Sequence, residues 1–398
     1  MRELSVPTDS KIVLLVLDGL GGLPNEGGKT ELEAANTPNL DALAASSDLG
    51  LSRPLGSQAG VSPGSGPGHL ALFGYDPLKY EVGRGVLSAL GVGFELGEND
   101  LAARINFATK DESGKISDRR AGRLSTDEAA KLVDLLDENL KLDGAEVFLM
   151  HEKEHRAVAI FRGSGLSDVL SDSDPQRVNL KPLPVEPMNG DAKAEKSSEL
   201  ANDFIKQANA ILAGYHPANT VLLRGFGMYP ALPKFDETYK LRAAAIAGYP
   251  MYKGLARLVG MEVLEESEGI AGEFQTLEEN WGSYDFFFIH IKATDAAGED
   301  GDFRRKVAVI EEVDVLIPDL LALGPAVLAV TGDHATPAKM KNHSWHRVPF
   351  LLHSEYTLPT ASSFGERVCA GGSLGVFVAE EIMGLLMGHA LKLNRYGA

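Results

Sequence analysis

The sequence predicts an α/β fold: a mostly parallel sheet flanked by helices, with a smaller α+β domain inserted into it. Continuous apolar runs of strand length, followed by helical patterns, occur near both ends of the chain. This alternation is typical of parallel sheets with helices on both faces. The middle of the chain carries a predicted hairpin between two helical segments, which indicates a separate insert.

The first strand is predicted at residues 12–17, an apolar run that ends at Asp18 and Gly19. A strand that is buried on both faces has this pattern. A helix is predicted to begin after Thr37, because threonine is a good N-cap and Pro38 suits the first helical position.

The same order of elements recurs late in the chain. Residues 286–292 and 326–331 are apolar runs of strand length, and a helical pattern covers 303–323 between them. The last strand ends at Gly332, Asp333 and His334.

The middle of the chain predicts the insert. Residues 145–161 form two short strand patterns around a charged turn, which indicates an antiparallel hairpin. Helices are predicted at about 126–140 and 194–212. We therefore expect an inserted α+β domain at 86–235, which divides a larger, discontinuous α/β domain at 1–85 and 236–398.

Composition excludes several classes of protein. The 398 residues carry a formal net charge of −18, which disfavours binding to nucleic acid or an anionic membrane surface. No apolar run approaches the roughly 20 residues that span a bilayer. With Cys369 as the single cysteine, no intrachain disulfide forms. We expect a cytoplasmic protein with no nucleic-acid or membrane partner.

Acidic and imidazole side chains follow three of the predicted strands. They are Asp18, Asp295, Glu299, Asp333, His334 and His343. Ligand sites of open α/β sheets lie at the carboxyl ends of the strands, so we expect these groups to share one edge. Mixed carboxylate and imidazole ligands suit Mn²⁺ or Zn²⁺, with Mg²⁺ as a further candidate.

The spacing of these residues fits a metal centre. Asp295 and Glu299 are four residues apart, so one helical turn places both carboxylates on one face. Asp333 and His334 are adjacent at a strand end, so their side chains diverge and can serve two ligands. A solvated acidic turn is the alternative interpretation of Asp295 and Glu299.

A candidate nucleophile lies in the glycine-rich segment 62–70. Ser65 stands between two glycines before a predicted helix, and we prefer it to Ser62. A helix N-terminus favours a phosphate, and a metal lowers the pKa of a coordinated hydroxyl.

Arginines in the insert are the candidate anion-binding groups. Arg119, Arg120 and Arg123 lie within five residues of each other in an otherwise acidic chain. Guanidinium groups bind phosphate and carboxylate through two hydrogen bonds, although such a run can also be a solvated surface patch. Further candidates are Arg84, Arg104, Arg224 and Lys253.

In this order the motifs resemble the cofactor-independent phosphoglycerate mutases of the archaeal type, members of the alkaline phosphatase superfamily. The resemblance runs nearly end to end. It rests on segments 17–19, 35–41, 64–70, 73–77, 83–85, 103–109, 118–123, 171–175, 292–295, 332–337 and 343–344.

The resemblance implies an alkaline-phosphatase-like, metal-binding domain at 1–85 and 236–398 and an inserted substrate-binding and phosphotransferase domain at 86–235. It also implies two divalent metals and a transiently phosphorylated serine. Ser65 would be the nucleophile, and 3-phosphoglycerate and 2-phosphoglycerate would interconvert without 2,3-bisphosphoglycerate. Arg119 and Arg123 would hold this small phosphorylated carboxylate, and we add His69 to the expected substrate-binding residues. By resemblance one metal takes Asp18, Ser65, Asp333 and His334, and the other takes Asp295, Glu299 and His343.

Three departures from the family pattern bear on function. Position 299 is normally histidine, and Glu299 favours Mn²⁺ or Mg²⁺ over Zn²⁺. Residues 66–68 read Gly-Pro-Gly, and 345–347 read Trp-His-Arg. The alternatives are another metal-dependent phosphotransferase or phosphomonoesterase of the superfamily, or a catalytically inactive binding relative. The sequence does not define the oligomeric state.

Overall fold

The computed structural model describes residues 1–56 and 59–397; Ala398, the last residue of the predicted larger domain, lies outside the described residues. The chain divides into two compact units. The first unit comprises Met1–Glu81 with Leu232–Ala398, and the second is Val82–Ala231.

The elements are numbered along the whole chain. The strands are β1 (Ile12–Leu17), β2 (Ser47–Arg53), β3 (Asp100–Lys110), β4 (Ile116–Asp118), β5 (Glu146–Lys153), β6 (Arg156–Arg162), β7 (Thr220–Met228), β8 (Ala243–Ala247), β9 (Glu262–Val263), β10 (Phe286–Ile291), β11 (Val327–Thr331), β12 (Val348–Ser354) and β13 (Gly375–Val378). The α-helices are α1 (Glu31–Ala34), α2 (Pro38–Ala44), α3 (Ser65–Leu72), α4 (Arg84–Gly91), α5 (Thr126–Asn139), α6 (Ala192–Ile211), α7 (Phe235–Tyr239), α8 (Pro250–Val259), α9 (Gly269–Asn280), α10 (Ala293–Asp300), α11 (Phe303–Ala322), α12 (Glu366–Ala370) and α13 (Ile382–His389).

The first unit contains a mixed, mostly parallel sheet, as the sequence predicts. Its described strands lie in the order β13, β2, β12, β11, β1, β10, β8, β9. β1 is parallel to β10 and to β11, and β12 runs antiparallel to both of its neighbours. The predicted strands near both ends of the chain are therefore confirmed, and so is the α/β fold class.

Both faces of β1 are buried, which explains its continuous apolar run. Val13, Leu15 and Leu17 belong to the hydrophobic core that includes residues of α2, α9 and α11. Ile12 and Val16, on the other face, are also fully buried. On that face of the neighbouring strand β10, aromatic side chains contact residues of α3 and α7.

The strand order places the predicted ligand loops side by side. β1 lies between β10 and β11, and the three strands are parallel. Their carboxyl ends therefore meet at one edge of the sheet. Asp18 follows β1, α10 with Asp295 follows β10, and Asp333 follows β11.

A buried carboxylate on α11 holds the beginning of α2. The N-cap residue of α2, Thr37, makes no side-chain capping bond. Instead, the backbone amides of Asn39 and Leu40 donate to the carboxylate of Asp314, at 3.3 and 2.7 Å. Asp314 thus satisfies amides that a helix leaves without partners in its first turn.

Replacing Asp314 with alanine removes these acceptors from a buried helix end. We expect Asp314→Ala to lower the free energy of unfolding by about 2–3 kcal/mol, measured by chemical denaturation. Asp319→Ala, at an exposed position on the same helix, is the matched control and should change it by less than about 0.5 kcal/mol. Equal effects of the two substitutions would contradict the capping role.

A second buried acid, Glu273 on α9, is held near like charges. Burial and the charges of Glu266 and Glu312 raise the pKa of Glu273 to about 8. Its folded-state pKa lies above the unfolded value, so ionisation favours the unfolded chain as the pH rises.

We therefore expect Glu273→Gln to stabilise the protein, by an amount that grows between about pH 5 and pH 8. Melting temperatures of the natural protein and of Glu273→Gln should be close at pH 5 and diverge toward pH 8. The exposed Glu278 of the same helix supplies the control variant Glu278→Gln. A difference in melting temperature that stays constant between pH 5 and pH 8 would show that Glu273 is ionised throughout this range.

The second unit has its own sheet and core. β3 pairs antiparallel with β4, β6 and β7, and β5 pairs antiparallel with β6. The predicted hairpin at 145–161 is therefore confirmed. α5 and α6 contribute to the core of this unit, where Phe204 of α6 packs edge-on against Phe161 at 5.6 Å.

In the described part of the chain, no helix has the length and apolar character needed to cross a membrane.

Candidate functional site

Asp18 is completely enclosed at the sheet edge. It is fully buried, and its Oδ2 atom accepts hydrogen bonds from the hydroxyl of Tyr252, from His290 Nε2 at 3.0 Å and from Lys292 Nζ at 3.3 Å. Burial alone would raise the pKa of Asp18, but Lys292 and His290 hold it well below its usual value. Asp18 is therefore ionised at neutral pH.

Asp333 and His334 lie next to Asp18. His334 Nε2 is 3.4 Å from Asp18 Oδ1 and 3.2 Å from Asp333 Oδ2. The amide of Gly19 donates to Asp333 Oδ1 at 3.1 Å. Gly19 has a φ of +64°, and a Cβ there would lie 2.5 Å from Thr336 Oγ1, so only glycine fits this turn.

Asp295 is the third buried carboxylate of the edge. Lys292 Nζ lies 2.5 Å from its Oδ2 atom, and the hydroxyl of Thr336 donates to its Oδ1 atom at 2.6 Å. Burial and the charge of Asp18 raise the pKa of Asp295. Without a further cation, like-charge repulsion thus works against ionisation of Asp295.

Hydrogen bonds fix the tautomers of two histidines. Because the hydroxyl of Thr336 donates to Asp295, it accepts from His334 Nδ1 at 3.0 Å. His343 Nδ1 donates to the carbonyl oxygen of Pro63 at 2.9 Å. Both rings therefore present their Nε2 atoms to the site, and Nε2 is the nitrogen that binds a metal once it carries no proton.

These groups form two clusters with metal-ligand spacing. Asp18, Asp333 and His334 form one cluster, and Asp295, His334 and His343 form the other; within each, the ligand atoms lie within 4.8 Å of one another. His334 belongs to both clusters.

The chemistry of the residues fits divalent cations. Asp18 Oδ1 is completely buried and accepts no hydrogen bond within residues 1–56 and 59–397. A buried carboxylate oxygen without a donor is costly unless a cation binds it. Carboxylate oxygens combined with imidazole nitrogens are suitable ligands for such a cation.

Ser65 begins α3 and faces this site. Its side chain is buried, and its Oγ atom lies 3.1 Å from His334 Nε2. A Cβ at Gly68, one turn further along α3, would lie 2.6 Å from the carbonyl oxygen of Asp333. Gly68, the second glycine of the Gly-Pro-Gly segment, therefore lets the helix approach the Asp333 backbone closely.

Glu299 adjoins the second cluster from its exposed side. Its Oε1 atom is 3.7 Å from His343 Nε2, at the same distance as Asp295 Oδ1. Burial of His343 opposes protonation, but Glu299 and the Pro63 carbonyl raise the pKa of His343 to about 9. Glu299 thus contacts one member of the cluster without belonging to it.

His69 lies beside Ser65 and Asp333. It is fully buried, and its Nδ1 atom lies 2.8 Å from the carbonyl oxygen of Ser65 and 3.1 Å from Asp333 Oδ2. This position suits a group that orients Ser65 and Asp333. A contact between His69 and the substrate stays a prediction.

The second unit brings together several of the predicted arginines. Arg119 makes two hydrogen bonds with Asp174, at 3.1 and 2.6 Å, and Arg224 lies 3.7 Å from the same carboxylate. Arg104 is buried and pairs with Glu152 at 3.0 Å.

The remaining cationic candidates differ in their surroundings. Burial and the charges of Arg224 and Arg104 lower the pKa of Arg84 to about 10. Arg120 and Arg123 are exposed. In the first unit, Lys253 forms an ion pair with Glu266 at 3.1 Å.

The loop that carries Arg120 and Arg123 has a defined backbone. The Asp118 carboxylate accepts hydrogen bonds from the amides of Arg120 and Gly122, at 2.8 and 2.7 Å. Ala121, Gly122 and Arg123 all have positive φ angles, between 45° and 67°. Such strain is uncommon and is often found at functional loops.

Sequence reasoning missed four residues of the site: Tyr252, His290, Lys292 and Thr336. His290 is fully buried in β10 and donates to Asp18. A single imidazole in the apolar run of β10 was the available signal. Tyr252 stacks on His290 with ring centroids 3.6 Å apart, a contact that no local pattern indicates.

The fold and the site together define an α/β protein with a candidate two-metal centre at the carboxyl edge of its sheet. A family model described as 2,3-bisphosphoglycerate-independent phosphoglycerate mutase matches residues 44–219. A probable 2,3-bisphosphoglycerate-independent phosphoglycerate mutase of Thermotoga maritima is 51% identical and covers 100% of this chain and 98% of the relative. One from Thermus thermophilus is 52% identical, with the same coverage.

Two solved structures are also similar. The PH0037 protein from Pyrococcus horikoshii has a TM-score of 0.84 at 32% identity, over 98% of this chain and 99% of that chain. A cofactor-independent phosphoglycerate mutase from Thermoplasma acidophilum has a TM-score of 0.71 at 33% identity, over 96% and 100%. The chain belongs to the 2,3-bisphosphoglycerate-independent phosphoglycerate mutases, a family of isomerases. The resemblance found in the sequence is therefore confirmed.

The position of Glu299 beside His343 leads to a test of its role as a ligand. We expect Glu299→His to retain more zinc than the natural protein, because imidazole suits Zn²⁺ better than a carboxylate does. Bound metal would be measured by elemental analysis after loading with equal Zn²⁺ and Mn²⁺ and gel filtration. Asp300→His, at the neighbouring exposed acid, is the control.

Unchanged metal content in both Glu299→His and Glu299→Ala would exclude Glu299 as a ligand.

Proposed function

We propose that the protein interconverts 3-phosphoglycerate and 2-phosphoglycerate through a phosphorylated Ser65, without free 2,3-bisphosphoglycerate. The observation that carries this proposal is the position of Ser65 Oγ, 3.1 Å from Nε2 of His334, the histidine shared by the two clusters. Membership of the mutase family makes phosphoglycerate the natural substrate. A cytoplasmic role in glycolysis follows from this activity.

The two clusters suggest how the cations are held. We assign Asp18, Asp333 and His334 to the first metal, adjoining Ser65, and Asp295 and His343 to the second, with Glu299 as a candidate further ligand. When bound, divalent cations neutralise charge on phosphoryl oxygens and lower the pKa of a nearby hydroxyl. The set favours Mn²⁺ or Mg²⁺, because Glu299 adds a hard oxygen ligand.

The chain's own groups then account for the transfer. Ser65 Oγ loses its proton and attacks phosphorus as the bond between phosphorus and the 3-oxygen of glycerate breaks, and that oxygen takes up a proton. The 2-hydroxyl of the retained glycerate next loses its proton and attacks the phosphoserine, and as the bond between phosphorus and Ser65 Oγ breaks, Oγ takes up a proton. No phosphoryl group and no proton is gained or lost overall.

The inserted unit is proposed to hold the substrate. Arg119 and Arg224 share the carboxylate of Asp174, which fixes the direction of their guanidinium groups. Pre-oriented guanidinium forks suit a carboxylate and a phosphate better than mobile lysines do. Arg123, on its strained loop, is exposed and free of the Asp174 pairing.

An enolase-coupled assay tests the mutase and its nucleophile together. Metal-stripped protein would be resupplied separately with Mn²⁺, Mg²⁺ or Zn²⁺ and given 3-phosphoglycerate without 2,3-bisphosphoglycerate. We expect metal-dependent turnover that falls by about 10³-fold or more in Ser65→Ala. Ser62→Ala, at an exposed serine in the same loop, is the matched control and should retain activity.

Other outcomes would redirect the assignment. Cleavage of a generic phosphomonoester without mutase turnover would identify a phosphatase, in which water reaches the phosphoserine. Absence of activity in both assays, with every metal, would favour a binding protein. Equal activity of Ser65→Ala and the natural protein would exclude Ser65 as the nucleophile.

A further inference from the structure

Lys306 is a completely buried lysine on α11. Its Nζ atom donates to three backbone carbonyl oxygens: Gly19 at 2.8 Å, Gly21 at 3.1 Å and Thr336 at 2.9 Å. An ammonium group has three protons, so each of its donors has a partner.

The three carbonyl groups belong to the loops that carry the candidate metal ligands. Gly19 directly follows Asp18 in the loop after β1, and Thr336 lies two residues after His334 in the loop after β11. The hydroxyl of Thr336 also contacts Asp295 and His334. One ammonium group therefore joins the loops of both clusters.

A buried carboxylate supports the same arrangement. Glu31 is fully buried, and its Oε1 atom accepts a hydrogen bond from the amide of Ala338 at 2.7 Å, in the loop after β11. Burial lowers the pKa of Lys306, and the charge of Glu31 opposes this shift. The ammonium thus has both backbone acceptors and a counter-charge.

General stability does not explain a charge at this position. Burying an ammonium group is costly, and well-packed apolar residues often stabilise a protein as well as a buried ion pair or better. The specific property of lysine here is that it draws carbonyl groups of two separate loops toward one point. An apolar side chain of the same length would fill the space without setting that spacing.

We propose that Lys306 is a positioning residue, which sets the spacing of the two ligand loops and thereby the affinity of the centre for divalent cations. This inference rests on the two-metal centre of the proposed function. Lys306 itself touches neither metal nor substrate; it acts through the backbone of Gly19 and Thr336.

The test compares two buried lysines of the same unit. Lys392 is also buried, and its Nζ atom donates to the carbonyl oxygen of Thr8 at 2.6 Å, among residues remote in sequence from the ligand loops. Mn²⁺ would be titrated into metal-stripped natural protein, Lys306→Met and Lys392→Met, with binding followed by calorimetry and by the electron paramagnetic resonance signal of free Mn²⁺.

We expect the Kd for Mn²⁺ to rise by about 10–100-fold in Lys306→Met, as for other groups that orient metal ligands, and to stay unchanged in Lys392→Met. Lys306→Gln, which keeps one hydrogen-bond donor group, should recover part of the affinity. Amide hydrogen exchange in metal-stripped Lys306→Met should increase at residues 19–22 and 334–338.

Other results would overturn the proposal. A folded Lys306→Met that binds Mn²⁺ as tightly as the natural protein would exclude the positioning role. Failure of both Lys306 variants to fold, with Lys392→Met folded, would show that the lysine serves the fold itself. Absence of Mn²⁺ binding by the natural protein would instead contradict the metal centre on which the inference rests.

Discussion

Repulsion between three buried carboxylates is the constraint on which the site depends. Asp18, Asp295 and Asp333 end up at one edge of the sheet because the strands before them are adjacent and parallel. Such a group is stable only where cations and donors offset its charge. Lys292 contacts two of these carboxylates, and the remaining unpaired oxygen of Asp18 explains why the edge suits divalent metals. The surrounding hydroxyl, imidazole and amide groups then fix the direction of each ligand.

Much of the fold was predictable because the same burial that shapes β1, β10 and β11 also determines their composition. A strand covered on both faces is apolar throughout, and the acid that follows it marks its carboxyl end. The candidate ligands were predictable for this reason. The roles of Tyr252 and Lys306 were not predictable. Each lies on a helix whose sequence pattern indicates only which side of the helix is buried. Their roles depend on contacts between residues far apart in sequence.

The arginines of the inserted unit show the same limit. Their clustering along the chain indicated an anion site, but the pairing of Arg119 and Arg224 with Asp174 depends on how the segment between β6 and α6 folds. The register between β3 and β7 places Arg104 opposite Arg224. The spacing of residues along a single strand does not predict this pairing. His69 shows the same limit, because its complete burial beside Asp333 depends on contacts between residues far apart in sequence.

The close approach at Gly68 has an energetic consequence for each catalytic cycle. Because the backbone of α3 rests directly against that of Asp333, the position of Ser65 is limited by van der Waals contact and not by the freedom of a loop. The entropy lost in bringing the hydroxyl to the carboxylates is therefore paid once, during folding. For Ser65 as the proposed nucleophile, little reorganisation then remains for each turnover, which is how a rigid scaffold lowers an activation barrier.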